Sequence, residues 1–141
     1  MSYLGHEPDK VKKRIKYLGI PICLEWLKGD LRAYSDGYRK LMQCDYGFIP
    51  GVSSSYDGDD IDVFLGEDGS STVYVCRQLK RNLQDTDEIK FMLGFKDKGT
   101  ASRMFAAHVA TGRYGGVIAE VPILTFKEII DLARCAYTNE D

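Results

Sequence analysis

Tyr46-Gly47-Phe48-Ile49-Pro50-Gly51, then Val52, three serines and Tyr56, then Asp57-Gly58-Asp59-Asp60-Ile61-Asp62-Val63-Phe64 is the stretch on which the chain is read. Four aspartates fall within six residues, between apolar flanks. Carboxylates gathered beside a hydrophobic core repel one another and lose solvation, so they need cations or full exposure. An exposed acidic turn between strands is the plain alternative. The flanks speak against it: Ile61, Val63 and Leu65 alternate with Asp62 and Phe64, so a strand carries Asp62 into ordered structure. The cluster therefore reads as a divalent-metal site serving phosphate chemistry.

Grouped hard carboxylate oxygens suit Mg²⁺, with Mn²⁺ as second choice, because such ions keep several waters and are completed by substrate phosphates. Asp57 and Asp59 project to one side of an extended segment, and Asp62 returns to that side if the backbone turns at Gly58. An EF-hand loop starting at Asp57 is excluded, since its fifth position would be Ile61 and its sixth Asp62 rather than glycine.

Outward from this centre, 141 residues with 44% apolar content suit one domain with a proper core, spanning 1–141 with a loose lead-in over 1–10. A net charge of −2 gives no drive toward nucleic acid or anionic membrane, and no apolar window has transmembrane length. Cys23, Cys44, Cys76 and Cys135 form no C-x-x-C pair, and no signal-like segment follows Met1, so reduced thiols in a cytoplasmic protein are expected. His6 and His108 are too few and too far apart for zinc; His108, among small and apolar residues, reads as packed. The basic run Lys10 to Lys16 reads as a solvated segment.

Ile15, Tyr17 and Ile20 to Trp26 read as strands around a kink at Gly19-Ile20-Pro21. Turns at Gly29-Asp30 and Asp36-Gly37 predict a β-meander from Ile20 to Met42. Residues 46–56 read as a loop, and 61–66, 72–79 and 88–95 as strands, with Ile89, Phe91 and Leu93 opposite Lys90 and Met92. A helix is expected over 102–109 after Gly99-Thr100, then a strand over 117–123. The capping box Thr125-Phe126-Lys127-Glu128 begins a second helix with Phe126, Ile129, Ile130 and Ala133 on one face. The fold class is α+β, a twisted, barrel-like sheet with two C-terminal helices.

Tyr-Gly-Phe-Ile followed by Asp-Gly-Asp-x-x-Asp-Val resembles the signature of soluble (family I) inorganic pyrophosphatases. The span 15–130 is most similar to the pyrophosphatase-like domains of phage and plasmid polypeptides, through Asp87-Glu88-Ile89-Lys90-Phe91-Met92-Leu93-Gly94-Phe95. The resemblance implies an OB-like barrel and hydrolysis of pyrophosphate with Mg²⁺. It assigns Asp57, Asp59, Asp62 and Glu88 to metal, with Asp62 bridging two ions and Asp59 also orienting or deprotonating the attacking water. Tyr46 and Lys90 would hold phosphate oxygens, Glu25 matches an early active-site glutamate, and the arginine expected after the early hairpin is Arg32 or Arg39.

Three positions depart from that pattern. Cys23 stands where a lysine precedes the early glutamate. The segment 80–84 lacks the further metal-binding aspartate, with Asp85 out of register. The late Tyr-Lys pair has only Arg113-Tyr114 as a loose substitute. Taken without the resemblance, Tyr46 equally suits a core aromatic, Glu88 and Lys90 a solvated strand face, and Glu25 an edge charge. The readings left open are a phosphoanhydride hydrolase, an impaired module binding a phosphorylated small molecule or nucleotide, and a phage or mobile-element accessory protein binding a host protein. The expected partner is a small phosphorylated substrate, in the host cytoplasm if phage-encoded, with neither nucleic acid nor membrane and with a homo-oligomer left open.

Overall fold

The computed structural model describes residues 10–34, 37–53, 60–110 and 112–138, with side chains up to Arg134. The strands are β1 (Lys13–Tyr17), β2 (Ile20–Trp26), β3 (Leu31–Ala33), β4 (Arg39–Leu41), β5 (Asp45–Ser53), β6 (Asp60–Leu65), β7 (Thr72–Leu79), β8 (Thr86–Leu93) and β9 (Tyr114–Pro122). Helix α1 (Lys98–His108) precedes β9, and α2 (Ile123–Thr138) follows it. Seven strands form one mixed sheet in the order β1-β2-β5-β6-β8-β7-β9, while β3 and β4 pair separately. The class is α+β as expected, and among the described residues the sheet is open rather than closed into a barrel.

Period-two alternation divides the sheet into two faces. Ile22, Leu24, Ile49, Ile61, Val63, Val73 and Leu93 pack with Ile123, Phe126 and Ile130 of α2. Tyr46, Phe64, Tyr74, Cys76 and Met92 face the other way and pack with Ala101 and Phe105 of α1. Asp97 caps α1 by accepting from the Thr100 amide at 2.7 Å, a side-chain oxygen satisfying one of the orphan N–H groups of the first turn.

Four expectations need correction. Residues 45–53 form a strand, not a loop. Gly47 makes this workable, because a Cβ there would collide with the Cys23 carbonyl of β2, and its absence lets the two backbones pair. The meander also fails: β2 pairs with β1 and β5, so the Gly29-Asp30 turn leads away from the sheet into the β3–β4 hairpin. Helix α1 starts at Lys98, because Asp97 supplies the cap. Helix α2 starts two residues before the capping box, and Ile129 is exposed while Phe126 and Ile130 are buried.

The lead-in over 1–9 and the metal assignments to Asp57 and Asp59 fall outside the described residues. Among those described, no helix is long and apolar enough to cross a membrane. Cys23, Cys44 and Cys76 are buried free thiols; burial pushes Cys44 and Cys76 up to about 12.

Candidate functional site

The parallel pairing of β6 with β8 sets Asp62 directly beside Lys90. On the far side of β6, Phe48 of β5 faces Asp62 and Tyr46 faces Phe64. Alternation therefore turns Tyr46, Asp62, Glu88 and Lys90 to the α1 side of the sheet.

Lys90 Nζ is the hub. It donates to Asp62 Oδ2 at 2.7 Å, to Tyr46 Oη at 2.9 Å and to Glu88 Oε1 at 3.1 Å, using all three of its donors. Burial opposes its charge, yet Tyr46, Asp62 and Glu88 together hold the ammonium well above the ordinary lysine range. Glu88 is pushed upward, first by burial and then by the Asp62 charge, while Lys90 pulls the other way. Gln78 of β7 donates to Glu88 at 3.4 Å and to Asp87 at 3.2 Å, and Arg113 pairs with Asp87 and with the Leu79 carbonyl. These contacts brace Glu88 from the side away from Lys90.

Tyr46 is buried, with its ring 4.6 Å from that of Phe64. Burial raises its pKa first, and the Asp62 charge adds to it, so the phenol keeps its proton. Since Oη accepts from Lys90, its O–H remains to donate, and among the described residues it meets no acceptor. The Arg32 guanidinium lies 4.9 Å from the centre of the same ring, and also over Trp26 and Tyr34.

The hairpin register separates the two arginines. Arg32 pairs with Lys40 on one face of β3–β4, half-buried toward Tyr46, while Arg39 pairs with Ala33 on the exposed outer face. Glu25 is buried on β2 where its ladder with β5 shifts register. Its charge, like that of Asp60, acts on the Cys23 thiol, whose Sγ accepts from Arg14 at 3.1 Å across β1–β2. The structure thus gathers Tyr46, Asp62, Glu88, Lys90 and Arg32, places Glu25 on β2 between the residues that face Gly47 and Tyr46, and leaves Arg39 outside.

Asp62 and Glu88 offer hard oxygens converging on one cation, the Lys90 ammonium, so their chemistry and direction fit a divalent ion. Among the described residues no three acidic, His or Cys side chains form a metal-holding group.

Sequence reasoning missed Gln78, Lys40 and the pairing of Arg113 with Asp87. Gln78 and Lys40 belong to no motif, and the meeting of Arg113 with Asp87 depends on β8 and β9 both pairing with β7. Tyr114 turns away to the Ser102 hydroxyl of α1, so Arg113-Tyr114 forms no joint grip. His108 packs as expected: Nδ1 bonds the Met104 carbonyl at 2.7 Å and Nε2 accepts from the Gln43 amide at 3.0 Å, which is the neutral tautomer.

A family model described as Inorganic Pyrophosphatase matches residues 6–131. No curated protein and no solved structure matches the chain.

Proposed function

Because the chain belongs to the inorganic pyrophosphatase family, we propose that it is a Mg²⁺-dependent phosphoanhydride hydrolase splitting inorganic pyrophosphate into two phosphates. The observation that carries this reading is the convergence of Tyr46, Asp62 and Glu88 on the buried Lys90 ammonium. Family membership alone implies a phosphate-containing substrate; the geometry supports a site that handles cations and an anion together. Mn²⁺ is the alternative ion.

In this reading Asp62 and Glu88 hold the metal together with Asp57 and Asp59. When bound, the metal neutralises the polyanion and acidifies a water. The other roles belong to the chain. With Asp62 and Glu88 engaged as ligands, Lys90 keeps Tyr46 and turns its freed donors to a phosphate oxygen. Tyr46 donates its O–H to the same phosphoryl group and stays protonated because it is buried. Asp59 orients the attacking water or accepts its proton, the role that the family resemblance gives it. Arg32 offers a planar fork to the developing charge. Glu25 lies buried on β2, beside the residue that faces Tyr46.

The test is phosphate release from pyrophosphate with Mg²⁺ or Mn²⁺. Turnover abolished by Asp59→Asn supports the proposal, and no turnover at any metal concentration removes it. A second reading, a module that binds a phosphorylated small molecule or nucleotide without hydrolysing it, is favoured by Cys23. There a buried thiol, raised by burial, holds Arg14 in place of a fixed lysine. Binding without turnover in calorimetry would select it. The closer likeness to phage and plasmid domains, a host-protein partner, the cytoplasmic setting and self-association belong to the proposal's periphery, and none is needed for the chemistry.

A further inference from the structure

The β3–β4 hairpin leaves the main sheet after β2 and rejoins it at β5. At its root Asp30 accepts from Lys12 and from the Leu27 amide, both at 2.7 Å. At its exit it meets the end of α1 through two bonds. Lys40 Nζ donates to the Ala107 carbonyl and the Gln43 amide donates to His108 Nε2, each at 3.0 Å. The Gln43 bond differs from those of the residue before it. The Met42 amide donates to the Asp30 carbonyl, and the Met42 carbonyl accepts from Gly29, so both stay inside the hairpin. Gln43 sends its amide out to the helix.

His108 can accept there only while Nε2 carries no proton. Its other nitrogen, Nδ1, faces the Met104 carbonyl at 2.7 Å and so holds the ring proton. A second proton has to go on Nε2, where a donor would then face the Gln43 N–H. The ring is buried, 5.1 Å from that of Phe64 on β6. Tyr46 of β5 stacks on Phe64 in turn, and its phenol is uncharged. The charges that act on the imidazole are Lys40 of β4 and Arg32 of β3, and both are positive. Among the described residues no carboxylate pairs with it. An imidazolium here is therefore repelled by the hairpin that the neutral ring holds. Moving the hairpin away relieves that repulsion and lets Nε2 reach water.

We propose that His108 is a pH-operated latch: neutral, it ties the exit of the β3–β4 hairpin to the end of α1, and protonated at Nε2 it releases the hairpin and uncovers the polar face around Tyr46. The latch stands on the contact between hairpin and helix, so it holds whatever that face binds. Its sign follows from the two states. Burial and the two cations lower the pKa of the closed form, while the open form takes a proton at the ordinary value of 6.5. Above that pH, opening is independent of pH. Below it, down to the depressed pKa of the closed form, each unit raises the open population about tenfold, the effect of one proton.

The experiment is amide hydrogen exchange by NMR on the full chain from about pH 8 to about pH 5, across the histidine range. Protection is taken relative to an unstructured chain at the same pH. Gln43 protection should be level above about pH 6.5 and fall about tenfold per unit below it, while Met42 keeps its protection. His108→Gln offers Gln43 an acceptor that does not ionise, and should make Gln43 protection independent of pH. Lys40→Met leaves His108 in place and removes a cation beside it. It should raise the ring pKa read from the imidazole resonances, so that the fall in protection levels off at a higher pH.

Equal loss at Gln43 and Met42 would mean that the whole hairpin unfolds, and overturns the latch. So does wild-type Gln43 protection that ignores pH, or a pH dependence that survives in His108→Gln. A ring pKa left unchanged by Lys40→Met overturns it as well, and that variant decides the matter even where His108→Gln does not fold.

Discussion

The two faces of the seven-stranded sheet come from the same strands, yet they are built to opposite rules. The face under α2 is dry: Ile22, Leu24, Ile49, Ile61, Val63 and Leu93 meet Phe126 and Ile130 with no charged group among them. The face toward α1 carries Arg14, Glu25, Asp62, Glu88 and Lys90 interleaved with Cys23, Tyr46, Phe64 and Met92. Burial on the first face is worth roughly 25 cal/mol per Å² of apolar area. On the second, part of that gain is opposed by desolvating ionised groups, offset where Asp62 and Glu88 bond Lys90 and where Arg14 bonds the Cys23 thiol. The first face explains why the chain folds. The second carries the proposed site.

Removing the hub separates the two most sharply. Lys90→Met should lower stability by about 3–5 kcal/mol, because it leaves Asp62 ionised and buried without its cation. On the proposed function it should also cut pyrophosphate turnover by roughly 10²-fold or more. Removing the stranded Asp62 charge as well, in the double variant Asp62→Asn/Lys90→Met, should return part of the stability, since Glu88 still lacks its cation, and none of the turnover. Chemical denaturation and phosphate release measure the two effects. Recovery of both together would mean that the polar face serves only to hold the fold.

The dry face should give the opposite split. Phe126 stacks 5.2 Å from Phe91 through the α2 contact. Phe126→Ala should cost about 3–5 kcal/mol in cavity and lost burial. Turnover per folded molecule should stay at the wild-type level, since nothing on the α1 side moves. A fall in kcat without unfolding would show that the faces are mechanically coupled through β8.

A smaller effect comes from His108, at the α1 end of the polar face. Burial lowers its pKa from 6.5, and the nearby Lys40 and Arg32 charges lower it further. The folded state thus resists a proton that the unfolded chain accepts. Its contribution to stability is full above about pH 6.5 and is lost as pH falls below that value toward the depressed folded pKa. The melting temperature should decline over that range, and His108→Asn, which cannot ionise, should flatten the decline. An unchanged slope would show that other groups carry the acid sensitivity.

How far the sequence could be read depended on whether a feature was local. Alternation at Ile61–Leu65 and Ile89–Leu93 placed Asp62 and Lys90 on the faces they occupy, since side-chain direction in a strand is a property of the strand itself. That they would touch was not readable from spacing. Their contact depends on β6 pairing in parallel with β8 while β7 lies beyond, a non-local choice. The strand over 45–53 looked like a loop because Gly47, Pro50 and Gly51 argue against strands on propensity alone. Packing against β2 requires the glycine that propensity penalises. The helical spacing put Ile129 on the face of Phe126 and Ile130, but the stripe that meets the sheet is narrower, running through Ile123, Phe126 and Ile130 and leaving Ile129 exposed. Lys40 and Gln78 carried no motif and became relevant only through their partners.

The smallest expected effect tests the hairpin, where two arginines seven residues apart look equivalent in sequence. Arg32→Gln should raise KM for pyrophosphate about tenfold, because it removes a charged fork held against Tyr46. Arg39→Gln should leave KM unchanged and stability within about 0.5 kcal/mol, since its side chain lies on the exposed outer face opposite Ala33. Steady-state kinetics on the two variants at one ionic strength decides the matter. If Arg39→Gln raises KM as much as Arg32→Gln, then the hairpin acts through diffuse positive charge and not through its inward face. In that case rising salt should weaken the wild type and both variants alike. If only Arg32→Gln responds, the alternation that divides the main sheet into a folding face and a binding face also operates on a ladder three residues long.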